Sequence, residues 1–184
     1  MQRVIPVLLS FALLAAAAPA AADQNDPRLN DLFARLQKTD NRLEAQTLES
    51  MIWGIWYSSD DVEVSRLMDQ GEMAMQAQDM RTAIGAFTKI TEIAPDFAEG
   101  WNRRATALFM IGEYEASRAD VAKTLALEPR HFGALSGLGL INAAEDKGEA
   151  AIEAWQHALE VNPNMPSVQQ NIEEMQAKLA EDNI

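Results

Sequence analysis

The residues with the chemistry to catalyse a reaction are few and scattered. The chain has two histidines, His131 and His157, and no cysteine. His131 falls in a turn two residues after Pro129, and His157 on the outward side of a helical stretch. Neither has a second His or Cys at the spacing of a zinc site, where four ligands converge tetrahedrally. The acid pairs Asp60-Asp61 and Glu173-Glu174 read as solvated helix ends, not as a general acid facing a general base. No glycine-rich phosphate loop, G-x-S-x-G elbow or H-E-x-x-H run occurs, and helix packing and turns account for the nine glycines. The sequence therefore predicts no catalytic residue, no metal and no cofactor, and leaves binding as the chemistry to look for.

Binding residues need elements to position them, and here the elements follow a period. Pro95, Pro129 and Pro163 are 34 residues apart, as are Phe87, Val121 and Trp155, and Ile93, Leu127 and Val161. The same step relates Leu67, Trp101 and Leu135; Gly71, Ala105 and Gly139; and Ala83, Ser117 and Ala151. Each unit contains two helical stretches, 64–77 with 80–93, 98–111 with 114–127, and 132–145 with 148–161. Each proline then blocks continuation of the second helix and sets the turn into the next unit.

These columns follow the tetratricopeptide pattern, 34 residues of the form W-x2-L-G-x2-Y…A-x3-F…P. One copy reads Leu135-x2-Leu138-Gly139…Ala151-x3-Trp155…Pro163, and another Leu67-x2-Gln70-Gly71…Ala83-x3-Phe87…Pro95. The middle copy runs through Trp101, Ala105, Tyr114, Ser117 and Val121 to Pro129. Residues 64–165 thus resemble the tetratricopeptide-repeat (TPR) family. The resemblance implies an all-α solenoid of antiparallel helix pairs, with repeats at 64–97, 98–131 and 132–165. Small residues in the Gly71 and Ala83 columns let paired helices approach, and the bulky Phe87 column fills the seam to the next pair. A single pair cannot bury its apolar face, so the copies must stack.

The flanks complete the scheme. Residues 23–63 form an N-terminal helical hairpin that reads as a cap or a degenerate repeat. Its first helix covers 27–38 behind Asp26-Pro27, and its second covers 41–57 behind Asp40. Residues 166–184 form a C-terminal capping helix with Val168, Ile172, Met175 and Leu179 inward.

In TPR proteins the first helices of successive pairs line a concave face where partners lie. Carried over by repeat position, the resemblance places Met68, Glu72, Met75, Asn102, Arg103, Thr106, Phe109, Met110 and Leu140 in a partner-binding groove. Ser65, Asp69, Gln76, Glu99, Gly133, Ser136, Gly137, Ala143 and Ala144 share the face. Met68, Met75, Phe109, Met110 and Leu140 make an apolar strip, and methionine adapts its shape to a peptide or helix. Two readings stand side by side: these side chains receive a partner, or the chain's own N-terminal helices cover them as core. If they receive a partner, Arg103 supplies the polar contact and Phe109 the apolar anchor; the alternative pairs Arg103 with Glu99, four residues earlier. One subclass of the family clamps a C-terminal carboxylate with Lys, Asn and Arg here. Asn102 and Arg103 fit those columns, but Met68, Glu72 and Gly133 do not, so no clamp is predicted. Arg104 and Gln70 stand in a column usually filled by Leu, where a long side chain either snorkels or pairs with an acid.

Residues 1–22 have the parts of a secretory signal: Arg3 in a positive n-region, an apolar run from Val4 to Ala18, and Ala20-Ala21-Ala22 before a polar start at Asp23. The run is short of the ~20 apolar residues a spanning helix needs, so cleavage after Ala22 is expected, with no membrane segment in the mature chain. Cleavage removes one Arg and no acid, leaving 14 basic against 28 acidic residues, a net charge of −14. Such a chain is repelled by nucleic acid and by anionic headgroups. The sequence thus predicts a non-catalytic, periplasmic or secreted monomer that binds another protein or peptide through a concave groove. The alternative is a permanent subunit of an envelope assembly, joined through Trp53, Trp56 and Tyr57 or through its convex face.

Overall fold

The 34-residue period becomes a period of backbone conformation. In a computed structural model, which describes residues 23–182, each repeat is a helix pair: α3 (Val62–Gln76) with α4 (Met80–Ile93), α5 (Ala98–Met110) with α6 (Tyr114–Leu127), and α7 (Phe132–Ala144) with α8 (Gly148–Val161). Within each pair the turn passes through one left-handed residue, Gln78 (φ 60°), Gly112 (φ 80°) or Asp146 (φ 55°). Each turn closes with the same long backbone bond: Asp79 N to Ala74 O at 2.9 Å, Glu113 N to Leu108 O at 3.0 Å, and Lys147 N to Asn142 O at 2.9 Å. That bond satisfies carbonyls orphaned at the helix end. Only Gly112 takes the conformation without steric cost.

Between pairs, Ala94, Glu128 and Asn162 are extended at φ −133°, −135° and −130°. Each precedes a proline, whose ring excludes the helical conformation from the residue before it. Side chains then start several of the helices. Asp61 accepts from Glu63 N and Val64 N at α3, Asp79 from Thr82 N at α4, and His131 from Ala134 N at α7.

The glycine column is a packing device. A Cβ on Gly71 would fall inside the Phe87 ring, and one on Gly139 inside the Trp155 indole. The bulky column therefore seats first against its own pair, a correction to its placement in the seam alone. It reaches the next pair as well, since Phe87 shares a buried cluster with Phe97, at the N-cap of α5, and with Ala107 within it. Trp155 clusters with Val168 of the last helix, α9 (Pro166–Asp182), which covers the end of the solenoid.

Arg104 is resolved by a partner 16 residues away. Its Nε and Nη2 donate to the two oxygens of Asp120 at 2.7 and 2.8 Å, and Nη1 reaches Thr91 Oγ1 at 3.0 Å. The guanidinium lies 4.9 Å from the Trp101 ring. A position that is apolar in the family pattern is here a fork joining α4, α5 and α6. Gln70, in the same column, accepts a bond from exposed Arg66.

The N-terminal hairpin consists of α1 (Arg28–Leu36) and α2 (Arg42–Tyr57). Asn41, not Asp40, caps α2, accepting from Leu43 N and Glu44 N. The hairpin does not stack on α3 as a further repeat. It folds back across the first helices, where Phe33, Trp53 and Trp56 meet Phe132 at the start of α7. Val161 and Met165 at the far end of the solenoid also pack on it. Among the described residues no helix is long and apolar enough to cross a membrane. The expected signal, residues 1–22, lies outside the described residues.

Candidate functional site

The face formed by α3, α5 and α7 is built around one buried carboxylate. Glu99 has no exposed side-chain surface. Its Oε2 accepts from Asn102 Nδ2 at 3.0 Å and lies 2.9 Å from His131 Nε2, and its Oε1 accepts from Arg103 Nε at 2.8 Å. Because His131 Nδ1 accepts from Ala134 N at 3.0 Å, the ring proton sits on Nε2 and points at Glu99. Burial pushes the Glu99 carboxyl above its ordinary range, and the His131 and Asn102 bonds oppose that shift. Glu72, 3.2 Å from Arg103 Nε, is raised too, by its own burial and then by the Glu99 charge. Burial lowers Arg103 to about 10, which leaves it charged at neutral pH between its two acids.

Two of the residues expected to greet a partner are therefore already engaged. Arg103 holds Glu99 and Glu72, and its guanidinium lies 4.5 Å from the Tyr57 ring of α2. Asn102 is buried against Glu99. Met68 is buried in the α3–α4 core with Met75 packed beside it. Phe109 packs on the Tyr114 ring, centroids 5.5 Å apart, and against the α5–α7 cluster. Thr106 donates to Asn102 O at 3.0 Å and stays half-buried. Met110 and Leu140 are open, at 54% and 38% exposure.

The remainder of the face is occupied by the chain itself. The Trp56 indole stacks on His131, centroids 4.1 Å apart and planes within 10°, and Trp53 meets His131 edge-on at 5.5 Å. Gly133 makes room for Trp53, whose ring would lie 2.7 Å from a Cβ there. Trp53, Trp56 and Tyr57 thus turn inward, a correction to their expected role as an outward docking segment. Polar bonds pin the edges of the hairpin: Arg130 to Asn30 at 2.9 Å, Asn162 to Glu49 at 2.7 Å, Gln37 to Glu160 O at 3.2 Å, and Asn164 to Leu36 O at 3.3 Å. What stays open is a cleft of about 370 Å³ between the hairpin, α5, α7 and the start of α9, lined by Trp53, Thr106, Ser136, Gly137, Leu140 and Met165 among others.

Sequence reasoning missed the two residues that organise the face. His131 read as a turn residue, and its position immediately before Phe132, where a helix cap belongs, was the available signal. The pairing of Glu99 with Arg103, four residues on, was legible and is present at 2.8 Å, but its bond to His131, 32 residues away, was not.

No family model matches the chain. It is 31% identical over 160 residues to a TPR repeat-containing protein of Rhizobium etli, spanning 87% of this chain and 78% of that protein. It is 27% identical over 132 residues to the small glutamine-rich tetratricopeptide repeat-containing protein 2 of Saccharomyces cerevisiae, but spans only 37% of that protein's length. Among solved structures, the Sgt2 TPR domain from Aspergillus fumigatus matches with a TM-score of 0.63 at 26% identity, over 67% of this chain and 83% of that one. The first TPR of Spaghetti (RPAP3) bound to an HSP90 peptide matches with a TM-score of 0.63 at 23% identity, over 66% of this chain and 96% of that one. Repeat period, helix pairing, relatives and structural neighbours agree: the chain belongs to the tetratricopeptide-repeat family.

Proposed function

We propose that this chain is a non-catalytic protein–protein interaction module that holds a peptide or helix of another protein against its concave face. One observation carries the reading: a helical segment, α2, already lies on that face, with its aromatic side chains against His131, Phe132 and Arg103. A surface that seats one helix has the shape and chemistry to seat another. The neighbouring TPR of Spaghetti (RPAP3), bound to an HSP90 peptide, supports the same use of the fold. The leader at residues 1–22 supports an exported, periplasmic setting, and the net charge of −14 after its removal argues against nucleic acid as the partner. The mature chain works as a monomer in this reading.

Gly137 offers a direct test. It borders the open cleft, and nothing lies within 4 Å of where its Cβ would be. The Cβ of Gly137→Arg therefore meets no neighbour, its side chain enters the cleft, and it removes a helix glycine that costs ~1 kcal/mol against better helix formers. Immobilised residues 23–184 are used to capture partners from the cell's own envelope extract, with and without the substitution. The expected result is a captured protein that the folded Gly137→Arg chain loses. Equal capture by both chains would move the binding site off this face.

A further inference from the structure

We propose that the α1–α2 hairpin is a displaceable occupant of the concave face, standing where a partner's amphipathic helix with aromatic side chains one turn apart would bind. The proposal rests on the interaction-module reading and adds both the partner's chemistry and the means of control. The hairpin closes largely on itself. Its buried cluster contains Leu29, Leu32, Phe33, Leu36, Leu48, Ile52 and Trp56, and only one buried residue of the solenoid, Phe132. The three buried clusters of the repeats contain no residue of the hairpin, and Tyr57 alone touches the edge of one. The apolar clusters of the repeats thus form without the hairpin, which covers chiefly His131 and Phe132 at the start of α7, as expected of a unit that opens locally before the whole fold does.

The seat is specific yet imperfect. His131 offers an imidazole face to Trp56, Gly133 leaves space for Trp53, and Arg103 lies under Tyr57. All three features recognise aromatic rings, and the rings belong to positions i, i+3 and i+4 of one helix. That pattern defines the competing ligand. Yet the buried Trp56 Nε1 finds no acceptor among the described residues, so the docked hairpin bears the cost of an unpaired buried donor. The edges are held mainly by polar side-chain bonds, such as Asn162 to Glu49 and Arg130 to Asn30, as in interfaces that separate and re-form. A competing helix whose own aromatic side chains bury no unpaired donor has an advantage, partly offset by the high effective concentration of the tethered hairpin.

The test uses the whole mature chain and, as probe, a fluorescent synthetic peptide of residues 27–58. The chain has no cysteine, so Glu49→Cys with Asn162→Cys gives two unique thiols for a short bismaleimide bridge that locks the hairpin down. The parent chain should bind the peptide weakly, Trp56→Ala at least ten-fold more tightly, and the bridged chain not at all. Equal binding by bridged and unbridged chains would overturn the proposal, as would a folded Trp56→Ala chain that gains nothing. Hydrogen exchange on the parent chain decides independently of whether the variant folds. Amides of α2 should exchange at least ten-fold faster than those of α5 and α8, and equal rates mean that the hairpin opens only with the whole fold. A dimer of twice the monomer mass with exchanged hairpins would overturn the foreign helix as occupant and put a second copy in its place. None of these readouts involves an envelope partner. Their failure leaves the Gly137 result standing, and failure at Gly137 leaves these unaffected.

Discussion

Breaking the Arg104–Asp120 pair tests whether a charged fork replaces apolar packing at this repeat column. Asp120→Ala removes two charge-assisted bonds, at 2.7 and 2.8 Å, and strands the guanidinium among α4, α5 and α6. The Asp120 side chain is 6% exposed and that of Arg104 19%, so solvent screens the pair little. Removing one partner of a buried pair costs about 3–5 kcal/mol, because the other charge is left uncompensated. Two features place this case at the low end. Arg104 keeps Thr91 at 3.0 Å and the Trp101 face at 4.9 Å, and its partial exposure lets the head turn toward water. The expected loss is about 3 kcal/mol against a total stability of about 5–15 for a domain of this kind. Removing both charges with Arg104→Leu and Asp120→Ala should cost far less, about 1 kcal/mol, since Leu restores the apolar side chain usual at this column and strands nothing. Urea unfolding of residues 23–184 followed by circular dichroism measures both variants against the parent, with a common slope required for comparison. If Asp120→Ala loses less than about 1 kcal/mol, or if the double variant is as damaged as the single, the pair does not carry the packing role assigned to it.

Trp155→Ala should cost ~3–5 kcal/mol and loosen the C-terminal end first, because solenoid stability sums over neighbouring interfaces; unchanged hydrogen-exchange protection across 148–182 would contradict it. Burial raises Glu99 and Glu72 above 4.5, so the folded chain holds protons that the unfolded chain has released. Their contribution is therefore complete below pH 4.5 and falls as pH rises through the raised values. Exposed acids such as Asp79 are lowered and act in the opposite direction, so the signal is the difference between parent and Glu99→Gln in urea midpoints across pH, with parallel profiles as the contrary result. Exported protein should begin at Asp23 on N-terminal sequencing, and an intact Met1 on the exported chain would contradict cleavage.

How much could be read before folding depends on how far apart the interacting residues lie. The 34-residue columns located three helix pairs and their breaks at Pro95, Pro129 and Pro163, and the apolar spacing of Val168, Ile172, Met175 and Leu179 located the closing helix, with boundaries within about two residues. That information is local: a helix face needs partners three and four residues away, and a repeat packs only on its neighbours. The left-handed residues Gln78, Gly112 and Asp146 share the same period, but their differing types concealed the column until the backbone revealed it. The fate of the concave face was not local. The apolar side of α2 suits either a cap on α3 or a lid on α5 and α7, and its pattern is identical in both cases. Only contacts such as Trp56 with His131 and Asn162 with Glu49, between residues 75 and 113 positions apart, select the second. Charged residues behave in the same way. The sequence placed Glu99 and Arg103 one turn apart on a single helix, where their pairing was legible, but only the tertiary structure brought His131 to Glu99, Glu72 to Arg103 and Asp120 to Arg104, because polar groups buried from water need compensating partners and these arrive from other elements.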